Sequence, residues 1–314
     1  MASPDRIDVH QHLVPPVWAA GLVDHGGDPS GWRSPDWTPD SAMDFMDGQH
    51  IRKGILSLTA PGVSGWHGAE RRNMARRVNE YGADLAARNS DRFGSFSTLP
   101  LPDIDGALIE LAHALDVLKA DGVILLSNYE GHYLGDPLFE PLWAELDRRA
   151  ATVFVHPGKP AIPTIDGIPG PIVDYPFDTT RAAVQLVLNG IIPRFSRVRV
   201  ILSHGGGFLP YAALRFAELA SAVRPEKPRV ADVMDAFRSF YFDTALSAGP
   251  SVLPSLLAFA KPGHVLYGSD FPYALAAVGA SFTAQLDNYA GLSPETLSVI
   301  NNGNARALFA AAIA

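Results

Sequence analysis

The 314 residues contain no cysteine. Disulfides, thiolate metal ligands and a cysteine nucleophile are therefore excluded. Charge is also sparse. Charged residues make up 18% of the chain, with 25 Lys and Arg against 33 Asp and Glu, for a net charge of −8. No basic run interrupts the sequence, so nucleic acid is not an expected partner. Long apolar runs are missing as well, and none approaches the roughly 20 residues that span a bilayer. Membrane insertion is not expected. The opening residues, Met1-Ala2-Ser3-Pro4-Asp5-Arg6, are polar and lack the apolar stretch of a secretory signal, so a cytoplasmic setting is expected. No Gly-x-Gly-x-x-Gly turn follows the first apolar run, which removes the fingerprint of a dinucleotide-binding fold.

What the chain does have is apolar material and punctuation. Hydrophobic residues make up 47%, and 28 Gly with 26 Pro imply a large core broken by many loops. Short apolar runs of strand length occur at residues 6–12, 53–58, 93–99, 122–127, 152–156, 198–204, 240–244 and 264–270. Between them run helical stripes, such as Met74, Val78, Tyr81 and Leu85, or Leu108, Leu111, Leu115 and Leu118. Thr38 is a candidate helix cap, with Pro39 in the first turn. Residues 159–176 read as a Pro- and Gly-rich loop leading to a helix at 179–188.

Near-continuously apolar strands suit a parallel sheet buried on both faces. Eight strand–helix units predict an α/β fold: a single (β/α)8 barrel over residues 1–314, one domain with a loop insertion after the first strand. That insertion, about residues 14–40, carries Trp18, Trp32, Arg33 and Trp37. It reads as a lid or wall for a flat substrate. Arg33 and Trp37 are the candidates to pair with an anionic group and to stack on a ring.

The histidines fall in a pattern. His10 and His12 are two apart on the first strand, so an extended backbone points them to one face. His156 ends the fifth strand, His204 the sixth, and Asp270 the eighth. In a barrel of this kind, catalytic groups gather at the C-terminal mouth of the strands. His10, His12, His156 and Asp270 are therefore the expected ligands of one divalent metal ion. Nitrogen and oxygen donors without sulfur favour zinc, with manganese possible. His204 is read as an acid/base group beside the metal. Asp270 is the other candidate proton donor.

Four motifs in order carry a resemblance: Ile7-Asp8-Val9-His10-Gln11-His12, Val155-His156-Pro157, Leu202-Ser203-His204-Gly205-Gly206 and Tyr267-Gly268-Ser269-Asp270-Phe271-Pro272. Together they resemble the amidohydrolase superfamily. The closer likeness is to the branch of aminocarboxymuconate-semialdehyde decarboxylase and the 6-methylsalicylate and salicylate-type decarboxylases. The resemblance implies the same four ligands, an active-site role for His204, and commonly a homodimer. Strand four ends in Leu126-Ser127-Asn128, with no lysine to bridge two metals, so one ion is expected. The implied activity is decarboxylation of a hydroxybenzoate or related conjugated acid. Metal-dependent hydrolysis of a lactone, ester or amide is the alternative that the same ligands would serve.

Overall fold

The computed structural model describes residues 5–310. Eight parallel strands follow one another round a barrel: β1 (Arg6–His12), β2 (Ile51–Ser57), β3 (Phe93–Thr98), β4 (Gly122–Leu126), β5 (Thr152–His156), β6 (Arg199–Leu202), β7 (Tyr241–Asp243) and β8 (Val265–Leu266). Neighbours in the chain are neighbours in the sheet, as the (β/α)8 reading requires. The residues just beyond β8 close the ring against β1. The Val9 amide donates to the Tyr267 carbonyl at 3.0 Å, the His12 amide to the Phe271 carbonyl at 2.8 Å, and the Asp270 amide to the His10 carbonyl at 2.8 Å.

The barrel interior is a packed core. Val9, Ile55, Phe96, Ile124, Phe154, Ile201 and Leu266 form one cluster, with Ala305 and Leu308 of the last helix (Asn304–Ala310) packed on it. Above Phe154 the alternation of a strand carries His156 to the same side. β1 needs a further device, because Val9 joins this core and its neighbour His10 must also face inward. Asp8 pairs with Gly54 and Gln11 with Leu56, so β1 spends one residue more than β2 over that interval. This irregularity resets the alternation and re-aims His10 and His12 at the axis, a use of bulges seen at barrel rims.

Local signals place several helices. Thr38 caps the helix Pro39–Gly48: its hydroxyl accepts from the Ser41 amide at 3.0 Å and Ser41 answers the Thr38 amide at 2.9 Å. Such a reciprocal cap is worth about 1 kcal/mol. Asp103 likewise caps Ile104–Asp116 through the Gly106 amide.

Two expectations need correction. The helix before β6 begins at Gly170, not at residue 179, and it contains Pro176. An interior proline costs about 3 kcal/mol. The inner face offsets it, since Asp174, Tyr175, Asp178 and Thr179 are all buried there. The insertion after β1 is also not all loop. Pro16–Leu22 is a short helix whose Trp18 is fully buried and donates from its indole to the Gly62 carbonyl at 2.8 Å. Trp18 is therefore a core residue and not part of a lid. Among the described residues, no helix is long and apolar enough to cross a membrane.

Candidate metal centre

The strand ends do converge. His10, His156, His204 and Asp270 offer donor atoms that all lie within 4.8 Å of one another. His12 joins them directly: its Nε2 is 3.1 Å from His10 Nε2 and 3.1 Å from Asp270 Oδ1. All five side chains are buried or nearly so, with His204 the most open.

What holds each ring separates the histidines. His10 Nδ1 lies 2.8 Å from Asp243 Oδ2, and His156 Nδ1 lies 2.8 Å from the Pro157 carbonyl. His12 Nδ1 sits 3.2 Å from the Ser57 carbonyl and 3.1 Å from its hydroxyl. An imidazole that donates from Nδ1 keeps the lone pair on Nε2, which is how a metal-ligating histidine is oriented. His204 is different. Its Nδ1 has no partner, and its Nε2 stands 3.4 Å from Asp270 Oδ2.

The charges of the cluster are set by burial and by one another. Burial pulls the His10 imidazole down, but the carboxylates of Asp243 and Asp270 outweigh it and hold it up at about 10. Burial lowers His12, and burial with the neighbouring imidazoles holds His156 well below the usual histidine range. Burial would raise Asp270, yet the charge on His10 and hydrogen bonds from His10, His12 and His204 keep it well below the usual carboxylate range. Two neutral imidazoles, an ionised carboxylate and a third imidazole that retains a proton only because carboxylates surround it make a site built around positive charge. That donor set fits one divalent ion, which would take the place of the proton.

Two residues at the mouth adopt left-handed backbone, His204 at φ 53° and Asp270 at φ 61°. Such conformations cost about 1–3 kcal/mol each and persist only where neighbours enforce them. Asp243 Oδ1 accepts from the His204 amide at 2.9 Å and the Ala245 amide at 3.0 Å. Asp8 ties β1 to the last turn, accepting from the His10 amide at 3.0 Å and the Ser269 amide at 3.1 Å. Burial pushes the Asp8 carboxyl up to about 6 against these bonds.

Asp8, Ser57 and Asp243 were not singled out from the sequence. Asp243 carried the signal that marked the others, since it ends a strand. Its two oxygens face different demands, one taking the His10 N–H and the other two backbone amides. Asp243→Asn cannot meet both, because an NH2 group cannot accept. Metal affinity is expected to fall about 10–100-fold, the usual effect of losing such a partner. Chelator competition measures it, and unchanged affinity would reduce Asp243 to a role in the fold alone.

A cavity of about 370 Å³ opens over His156, His204 and Asp270, walled by Trp32, Tyr175, Tyr273, Phe282 and aliphatic side chains. The insertion loop therefore does reach the site, through Trp32. Arg33 is exposed and does not line the cavity; Trp37 packs, partly buried, on the core. At the end of β4, Ser127 and Asn128 both bond Asp178, the latter at 2.8 Å. Of the remaining histidines, His25 stacks on Trp66 and His264 on Tyr241, away from the cluster.

Residues 7–311 match the family described as Amidohydrolase. A protein of Aspergillus niger named decarboxylase yanB is 42% identical, over 97% of this chain and 87% of its own. The 6-methylsalicylic acid decarboxylase of Penicillium expansum is 39% identical, over 97% and 96%. A crystal structure described as an amidohydrolase II superposes with a TM-score of 0.91 at 33% identity, covering 98% of this chain and all of the other.

Proposed function

The chain belongs to the amidohydrolase family, and from that membership we propose that it is a metal-dependent, non-oxidative decarboxylase of a salicylate-type hydroxybenzoate, with residues 1–314 acting as one catalytic domain. The observation that carries this reading is the buried histidine–carboxylate cluster in the wall of an aromatic cavity of about 370 Å³. That volume lies within the range of small-molecule sites. The names of the Aspergillus and Penicillium relatives support the same chemistry.

His10, His12, His156 and Asp270 are assigned as ligands to one divalent ion, zinc before manganese on the nitrogen-rich donor set. When bound, the ion would supply Lewis-acid polarisation of the substrate carboxylate and the adjacent oxygen. The chain's own residues do the rest. The His204–Asp270 pair holds a proton and delivers it to the ring carbon that bears the carboxylate. That protonated ring is the electron sink. The carbon–carbon bond then breaks, its electron pair restores the aromatic ring, and carbon dioxide leaves.

Burial raises the phenols of Tyr175 and Tyr273, so both stay neutral and protonated while lining the ring site. Trp32 supplies a flat face. Arg33 and Trp37 act through the same loop, Trp37 by packing it on the core and Arg33 by adding positive charge to its exposed side. The working form is proposed to be a cytoplasmic homodimer. Support for a dimer comes from the exposed apolar face that includes Phe177, Phe208 and Tyr211.

A panel of salicylates, their para-hydroxy isomers and simple lactones tests the reading. Salicylates, the 6-methyl acid included, should release carbon dioxide, and the para isomers should not, because they offer no oxygen beside the carboxylate. In D2O the product should carry one deuterium where the carboxylate stood. Lactone opening with every hydroxybenzoate untouched would replace the decarboxylase by a hydrolase.

A further inference from the structure

Asp28 lines the same cavity as the histidine cluster, from the loop after β1. It is held there by the chain around it. Its Oδ1 accepts from the Ser30 amide at 2.8 Å, and the Ser30 hydroxyl accepts from the Trp32 amide at 3.1 Å. The Ser30 carbonyl in turn accepts from the Gly170 amide at 3.0 Å, which pins this turn to the helix Gly170–Leu188. Carboxylate and indole are thus presented to the cavity by one braced turn.

Two phenols of the cavity wall stand near both Asp28 and the cluster. Tyr273 lies with its ring 5.5 Å from that of His12, and Tyr175 with its ring 6.3 Å from that of His156. Burial raises both phenols, and the charge of Asp28 adds to the effect on each. Among the described residues, no lysine or arginine lines this cavity. Burial raises the Asp28 carboxyl, and no lysine or arginine side chain stands in the cavity to bring it down again.

We infer that Asp28 sets the charge specificity of the site, admitting hydroxybenzoates with a single carboxylate and rejecting aromatic dicarboxylates. This rests on the decarboxylase reading. The reactive carboxylate is drawn to the cluster, which leaves the ring's other substituents to the rest of the cavity lining, Asp28 included. An alkyl substituent meets apolar walls there, and a hydroxyl has a carboxylate to donate to. A second carboxylate meets a like charge in a partly buried, low-dielectric space with no lysine or arginine to bridge the two. Rejection by an unpaired like charge is how a site excludes a ligand of matching shape.

Matched pairs of salicylates test this without a mutation. Each pair carries either a carboxylate or its isosteric carboxamide at the same free ring position, 3, 4 or 5. Binding is followed by quenching of tryptophan fluorescence, and turnover by carbon dioxide release. In the wild-type enzyme at least one position should favour the carboxamide by about tenfold or more. The gap should appear in KM and in binding more than in kcat. In Asp28→Asn it should shrink to near unity.

Equal handling of both members at all three positions would overturn the assignment, as would a gap that survives in Asp28→Asn. If Asp28→Asn does not fold, the wild-type pairs still decide whether the site rejects a second charge. A protein that binds and converts no salicylate at all would instead defeat the decarboxylase reading itself.

Discussion

His204→Asn should keep its metal and lose about 10²–10⁴ in turnover, the usual contribution of general acid–base catalysis. The choice of asparagine follows from the backbone. His204 sits at φ 53°, a region that asparagine tolerates better than other residues with a side chain. The amide that donates to Asp243 is retained in the variant, so the turn after β6 should hold its course. What is lost is a titratable ring 3.4 Å from Asp270 whose other nitrogen has no partner. A ring anchored at one side only is free to change protonation and partner during a reaction. His10, His12 and His156 lack that freedom, because each has its Nδ1 engaged. Elemental analysis and single-turnover carbon dioxide release report on the variant together. Loss of metal would make His204 a ligand, and full turnover with metal retained would make it structural.

The cluster was legible because each of its members lies at or just beyond the C-terminal end of a strand, and that end of a parallel barrel has only one place to be. His156 is the clearest case: Phe154 fills the barrel, and two residues on, the chain meets the mouth. His10 and His12 face the axis together for a reason of which alternation is only half. Period-two alternation points them together, but alternation from the inward-facing Val9 would turn both away from the axis. The slip of one residue against β2 corrects this, and a bulge leaves no reliable mark in a single sequence. The loop after β1 was legible only as a loop. Its tryptophans and Arg33 looked equivalent, yet burial sends Trp18 into the core, Trp37 against it and Trp32 to the cavity. Such choices are made by tertiary contacts tens of residues away, such as the Gly62 carbonyl under Trp18. The first half of the helix Gly170–Leu188 reads as loop for the opposite reason. Pro176 is a strong local signal, and it is overridden by a buried face that includes Tyr175 and Asp178.

His156→Ala should cost more than any outer partner: metal affinity should fall by more than the roughly 100-fold that marks the upper end of outer-shell losses, and turnover should fall with it. His156 is nearly fully buried and packed at ring distances of 5.3 Å from His10, 5.0 Å from His12 and 5.6 Å from His204. Its Nδ1 is fixed on the Pro157 carbonyl, and neither His10 nor His12 can take the place of its Nε2 without leaving its own anchor. The fold should persist, since the residue ends β5 at the cavity and the barrel core beneath it is made by Phe154 and its neighbours. The comparison that gives the result its meaning is with His12 and His204. Mutual distance groups His204 with His10, His156 and Asp270, whereas the anchoring of the rings groups His12 with them instead. If ring anchoring is the criterion, metal content should collapse in His12→Ala and His156→Ala alike and survive in His204→Asn. If proximity is the criterion, His12→Ala will keep its metal and His204→Asn will lose it. A fully loaded, fully active His156→Ala protein would remove His156 from the site under either criterion.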